Sequence, residues 1–173
     1  MLTAVSQTLA EILAGGASDL STEQIDFNHP QHSSFGTRVN IYCYEFRQSE
    51  QEYQAIAEVG GSTQKQKSPF WFDISFLVTA WDFTALGEMR LLSEALILLL
   101  PHHWLPEDSL AVALRGYGKL PMKVSAVGYG ETAVLWTALG VPMRPALRVI
   151  VTVPFLMETE LVSNKHISLI PAS

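Results

Sequence analysis

Hydrophobic and polar residues follow two distinct periods along this chain, and both appear in the run Pro69–Pro101, PFWFDISFLVTAWDFTALGEMRLLSEALILLLP. The first part has a period of two. Phe70, Phe72, Ile74, Phe76, Val78 and Ala80 fall on one face of a strand, and Trp71, Asp73, Ser75, Leu77, Thr79 and Trp81 on the other, because successive strand side chains point to opposite sides. The first face is core. The second is amphipathic and suits packing against another subunit or a crossing segment. After Trp81 the period becomes helical. Asp82 or Thr84 supplies the N-cap by accepting a backbone N–H of the first turn. Leu86, Met89, Leu92, Leu96 and Leu99 then form the inward stripe, Arg90 and Glu94 take outward i,i+4 positions, and Pro101 ends the helix.

The same two periods divide the rest of the chain. Thr3–Ala14 reads as a helix with Val5, Leu9, Ile12 and Leu13 on one stripe and Gly15-Gly16 as its stop. Asp19–Phe35 is polar and irregular, broken by Asn28-His29-Pro30. Arg38–Arg47 reads as a strand with Val39, Ile41 and Cys43 on one face and Asn40, Tyr42 and Tyr44 on the other. A face of two tyrosines is seldom left in water, so a covering element is expected there. Ser49–Ser68, centred on GGSTQKQK, reads as a mobile loop between paired strands and not as a domain boundary.

Short strands are expected at Leu110–Leu114 and Met122–Val127, with Gly116-Tyr117-Gly118 between them. A short helix, Thr132–Leu139, is closed by Gly140 and Pro142. Ala146–Val153 is a buried strand bracketed by Pro145 and Pro154, and Glu158–Val162 with His166–Ile170 reads as a hairpin or extended arm. The sum is one α/β (α+β) domain over residues 1–173. It has a mixed or mainly antiparallel sheet, helices packed on one face, and residues 158–173 as a C-terminal strand or arm.

Composition changes the picture in one respect. Hydrophobic residues make up 48% of the chain and charged residues only 16%, against about 25% charged in an average globular protein. Such a surface either exposes apolar groups or buries them against partners, and burial against partners is the reading adopted here. The net charge of −6 and eleven scattered Lys and Arg residues supply no basic patch to displace counterions from phosphates, which argues against DNA or RNA as partners. Cys43 is the sole cysteine, so no intrachain disulfide or multi-cysteine zinc site can form, and its mid-strand position suits a small buried apolar residue. There is no basic n-region ahead of the first apolar run, which Glu11 interrupts, and nothing approaches the ~18 apolar residues of a membrane span. The chain reads as cytoplasmic.

The search for chemistry returns little. Asp26, His29 and His32 share a three-residue spacing, but Pro30 argues against a helix that would gather them, and a fourth ligand is missing. Solvated loop histidines are the simpler reading. His102-His103 follow the Leu-rich helix, where a cationic imidazole suits the negative dipole end. Asp73 and Glu45 are strand carboxylates, for which pairing with Arg38, Arg47 or a neighbouring subunit is simpler than an acid–base couple. Gly128-Tyr129-Gly130 lacks the third glycine and downstream acid of a dinucleotide fingerprint, and Gly116-Tyr117-Gly118-Lys119 is no phosphate loop. No Gly-x-Ser-x-Gly elbow occurs. The sequence therefore offers no catalytic, cofactor or metal residue. One competing reading keeps a ligand-binding or enzymatic α/β domain with a pocket around Trp71, Tyr117 and Trp136.

Several segments, taken in order, carry a resemblance. They are LTAV from Leu2, RVNIYCYE from Arg38, WFDISFLVTAW from Trp71, LWTALG from Leu135, PALR from Pro145 and VTVP from Val151. The set resembles the cap, or tail-terminator, family of phage-tail-like contractile injection systems. That resemblance implies a tail-terminator-like fold and a homohexameric ring at the particle end distal to the baseplate, in contact with the last layer of inner tube and sheath. It implies no enzyme activity and no cofactor. Two groups of candidate interface residues are set beside it, one for flanking a turn and one for its strand pattern. Arg115, Lys119 and Lys123 flank a predicted turn and would face acidic rims of tube or sheath, the alternative being scattered solvated charge. Leu161, His166, Ser168 and Ile170 lie on the Glu158–Ile170 arm, which would add a strand to a neighbour's sheet edge, the alternative being an edge hairpin on the same subunit.

Overall fold

The structure, a computed structural model, describes residues 1–15, 20–32, 36–50 and 70–155. The strand expected from Phe70 to Trp81 forms over all twelve residues and lies at the centre of a five-stranded sheet. In chain order the elements are α1 (Leu2–Ala14), β1 (Ile25–Asp26), β2 (Arg38–Gln48), β3 (Phe70–Trp81), α2 (Ala85–Leu99), β4 (Met122–Ala126), α3 (Tyr129–Leu139) and β5 (Leu147–Phe155). The strand order is β1-β2-β3-β5-β4. Only the two-residue β1 runs parallel to its neighbour, so the sheet is mixed but mainly antiparallel.

One face of the sheet carries Val39, Ile41, Ile74, Phe76, Val78, Leu147, Val149, Val151 and Val153, all buried. α1 covers it with Val5, Leu9, Ile12 and Leu13, and α2 with Leu91, Ala95 and Leu99. The other face has a smaller core of Leu77, Trp136 and Leu139, with Tyr42 and Tyr44 packed against it. Here α3 is the element that covers the two tyrosines. Placing the helices on one face therefore holds for α1 and α2, while α3 lies on the opposite face because the amphipathic side of β3 also needed a cover.

Local chemistry sets the ends of the elements. Thr84 caps α2 by accepting the Gly87 N–H at 3.0 Å. Gly140 ends α3 in the left-handed region (φ 66°), a conformation glycine adopts without a Cβ penalty. β5 continues through Pro154 to Phe155. Thr152 N–H donates to Pro121 O at 2.9 Å on the β4 side. Two residues on, the proline nitrogen faces the same way, beyond the end of β4, so no ladder bond is lost.

Two expectations fail, each for a physical reason. Leu110–Leu114 is not a strand: 3₁₀ turns occupy Glu107–Ser109 and Val112–Leu114. A strand would put residues 110, 112 and 114 on one face, yet Leu110 and Leu114 are buried while Val112 is 80% exposed. Leu86 and Met89 do not belong to the inward stripe of α2 and are 79% and 56% exposed. The helix is apolar on so many sides that period alone does not fix its phase. Leu91, Ala95 and Leu99 win the core, which turns Leu86 and Met89 outward.

A hydrogen-bonded corner fixes where α2 begins. Thr37 donates its hydroxyl to Asp82 Oδ1 at 2.6 Å, and the Thr84 N–H and hydroxyl approach Asp82 Oδ2 at 3.3 and 3.2 Å. The Thr37 bond, reinforced by the Thr84 bonds, holds the Asp82 carboxyl below its ordinary value. This support is present above the usual carboxylate value of about 4 and fades as the pH falls through the lowered one. Gly87 packs so close that an added Cβ would meet Asp82 Oδ2 at 1.7 Å. Gly87→Ala is expected to cost about 1–3 kcal/mol through this clash. In an Asp82→Gly background, which removes the Asp82 Cβ at 3.0 Å as well as the carboxylate, the same change becomes neutral, or stabilising by up to about 1 kcal/mol from helix propensity. A double-mutant cycle in chemical denaturation reads the difference; additive effects would clear Asp82 of the constraint. Trp136→Ala should cost about 3–5 kcal/mol and strip hydrogen-exchange protection from residues 129–139 first.

Candidate assembly interfaces

The outward face of α2 carries a line of highly exposed large apolar side chains. Leu86, Met89, Ile97 and Leu100 are 79, 56, 69 and 54% exposed, and Phe83, just ahead of the helix, is 85% exposed. With Ser93 they line one side of a fifteen-residue helix. Counting each at its exposed fraction of a large side chain gives roughly 600 Å² of apolar surface, at the upper end of the largest patches on ordinary monomers.

α3 presents a second apolar surface on the other side of the sheet. Its inner side holds Trp136 and Leu139, yet Val134 on its outer side is 73% exposed, and Met143 just beyond it 60%. Ala133, Thr137 and Ala138 are exposed beside Val134. Apart from Glu131 and Thr137, α3 is apolar over most of its circumference, and the described residues cover it on the Trp136 side only.

The segment after α3 is held rigidly. Arg144 stacks its guanidinium 3.4 Å from the Trp81 ring centroid, pairs with Glu88 at 3.2 Å and donates to Ala80 O at 3.4 Å. Arg148 on β5 pairs with Glu131 at the start of α3, so α3 is tied to the sheet by charge as well as by Trp136.

Among the described residues, every arginine except Arg115 is paired with a carboxylate: Arg38 with Asp26, Arg47 with Asp73, Arg90 with Glu94, Arg144 with Glu88 and Arg148 with Glu131. Arg115, Lys119 and Lys123 are all exposed and have no carboxylate partner among those residues. They are not gathered into one pocket. Arg115 donates to Leu110 O at 3.2 Å and lines an open depression beside Gln7 and Glu11 of α1. Lys119 lies 5.8 Å over the half-exposed Trp104 ring. Lys123 borders a shallow groove of about 270 Å³ with Arg47, Asp73 and Thr152. Leu161, His166, Ser168 and Ile170 lie outside the described residues, as does the whole proposed arm.

The remaining candidates take structural places. Asp73 accepts the Thr152 hydroxyl at 2.8 Å and faces Arg47, while Glu45 accepts the Ser75 hydroxyl at 3.0 Å. His29 packs edge-on to Tyr42 at 5.1 Å, Asp26 pairs with Arg38, and no cluster of three or more His, Cys, Asp or Glu gathers among the described residues. Cys43 is half-buried against the main core, and burial pushes its thiol up. The pocket of the competing reading does not form. Trp71 belongs to the core under α1 and α2 with Tyr117 packed against it, whereas Trp136 belongs to the opposite face. The outward faces of α2 and α3 escaped the sequence reading; the signal was an α2 with more large apolar residues than one face can bury.

Similarity to known proteins bears on these surfaces. Two structures determined by cryo-electron microscopy share the fold. The sheath/tube terminator of the extracellular contractile injection system PVC, in its extended state, superposes with a TM-score of 0.62 at 15% identity, covering 100% of this chain and 62% of that one. The tube-terminating cap of the anti-feeding prophage gives 0.59 at 16% identity, covering 99% of this chain and 59% of that one. The chain thus spans about three-fifths of the length of each relative. No curated protein matches the sequence. The family described as the Pvc16 N-terminal domain matches over residues 4–168, and the chain belongs to that family.

Proposed function

We propose that this protein is the structural cap of a contractile injection particle. It closes the end distal to the baseplate as a homo-oligomeric ring, six copies by the resemblance. The ring seats on the last layer of inner tube and sheath, fixing the length of the particle and stabilising the extended sheath. The observation that carries this reading is family membership across residues 4–168, joined to a fold shared end to end with two terminators.

The physics of the role agrees with the surfaces. A tube built through head-to-tail contacts is an open polymer and grows until something stops it. A terminator must reproduce one side of the tube interface and fail to reproduce the other, while its own ring contacts close. A charge-poor domain with apolar helix faces on both sides of its sheet is suited to lateral contacts of that kind. No helix among the described residues is long and apolar enough to cross a membrane. The cap is proposed to act in the cytoplasm as part of the assembled particle, the alternatives being release with the particle or tethering to a membrane through another protein.

Arg115, Lys119 and Lys123 are proposed to meet acidic rims of tube or sheath, since among the described residues they are the Lys and Arg side chains without a carboxylate partner. The arm from Glu158 to Ile170, with Leu161, His166, Ser168 and Ile170, is proposed to add a strand to a neighbour's sheet edge.

Electron microscopy of particles from cells with and without the gene tests the cap itself. Tubes of uncontrolled length, or sheaths that contract or fall apart at one end, are expected without it; normal particles of uniform length would reject the reading. Reversing Arg115, Lys119 and Lys123 to Glu should weaken capping with an unchanged melting temperature, and unaltered capping would remove them from the interface. Deleting residues 158–173 should leave a folded domain that no longer caps, so loss of the fold would rule out the arm.

A further inference from the structure

We infer that copies of this chain join head to tail, with the outward face of α2 on one copy packed against the outer face of α3 on the next. The inference rests on the ring reading above and assigns its contact.

The two apolar surfaces lie on opposite sides of one sheet. α2 packs on the face holding Ile74, Phe76 and Val78, and α3 on the face holding Leu77 and Tyr42. A two-fold contact uses the same patch on both copies, so it would bury one of these surfaces and leave the other in water. A head-to-tail contact buries both, and when its rotation closes it makes a ring.

Shape and charge favour the same pairing. Leu86, Met89, Ile97 and Leu100 project as large knobs from α2. Around Val134 the exposed side chains of α3 are small (Ala133, Thr137 and Ala138), so a ridge of large residues can approach closely. Arg90 beside the α2 stripe and Glu131 at the start of α3 carry opposite charges with side chains 69% and 64% exposed, although each is already paired within its own subunit, with Glu94 and Arg148 respectively. The roughly 600 Å² on the α2 side is most of the ~800 Å² that each partner contributes to a stable interface of standard size.

Ile97→Glu and Val134→Glu test the contact, because both positions face outward and neither substitution disturbs a core. Light scattering and negative-stain microscopy of the full chain should show rings for the wild type. Either variant alone should lose them, with association weakened about a hundredfold or more and melting unchanged. Mixing the two variants is the discriminating step. One intact junction survives, α2 of the Val134→Glu protein on α3 of the Ile97→Glu protein, so heterodimers are expected and rings are not. A Val134→Glu protein that still self-associates through α2 would overturn the assignment in favour of a two-fold contact. Rings that survive both substitutions would overturn it too, and if tubes still end normally the cap reading stands. As a second measurement, Ile97→Cys and Val134→Cys introduced together with Cys43→Ser should cross-link neighbouring copies in purified particles under oxidation. Absence of any cross-link there would also reject the contact.

Discussion

The structure depends on β3 being buried on both faces. From Ile74 to Ala80 every residue is inside, and the strand order puts β3 between β2 and β5. A strand dry on both sides demands a layer on each side, since neither its hydrophobic face nor its amphipathic one can be left to solvent. One layer is the broad pair α1 and α2. The other is the single short α3, clamped by Trp136 and by Arg148 with Glu131. Covering β3 thus uses every helix among the described residues, and nothing in those residues covers the helices in turn.

That geometry explains how the composition is distributed. A chain with 48% hydrophobic residues holds more apolar side chains than its two cores take up. Part of the surplus is scattered, at Phe27, Phe46, Phe70, Trp104 and Val112, and the rest falls on and beside the outward sides of α2 and α3. Scattered exposed hydrophobics are ordinary on a monomer, but a line of large ones along one helix is not. The scarcity of charge is sharper than the composition alone implies, because five ion pairs engage five of the six arginines within the subunit.

What was legible in the sequence was local. The alternation of Phe70–Trp81, the Thr84 cap and the Gly140 stop each follow from a few adjacent residues, and each appears where expected. The need for a cover over Tyr42 and Tyr44 was also legible, though not which element would supply it. The phase of α2 was not, because Leu86, Met89, Leu92, Leu96, Ile97 and Leu100 allow more than one inward stripe and only tertiary packing chooses. Leu110 and Leu114 misled for a related reason: two buried residues four apart fit a pair of 3₁₀ turns as well as a strand. The candidate interface was less legible. Arg115, Lys119 and Lys123 were picked because they flank a predicted turn, whereas the fact that sets them apart, the internal pairing of the other arginines, depends for all but Arg90 on partners far away in the chain.

On the proposed reading the surface divides into two chemistries with two tasks. Self-contact through α2 and α3 is apolar and draws its strength from buried area, which salt does not screen. Contact with tube and sheath through Arg115, Lys119 and Lys123 is electrostatic, contributes more to orientation and encounter than to affinity, and weakens as ionic strength rises. A terminator gains from that separation. Its ring closes by shape before it meets a tube, so a growing tube end encounters a preformed ring and not single subunits that could add to the polymer. The charges then select the end on which the ring seats. A chain that used one chemistry for both tasks would have no physical means of keeping ring closure apart from tube growth.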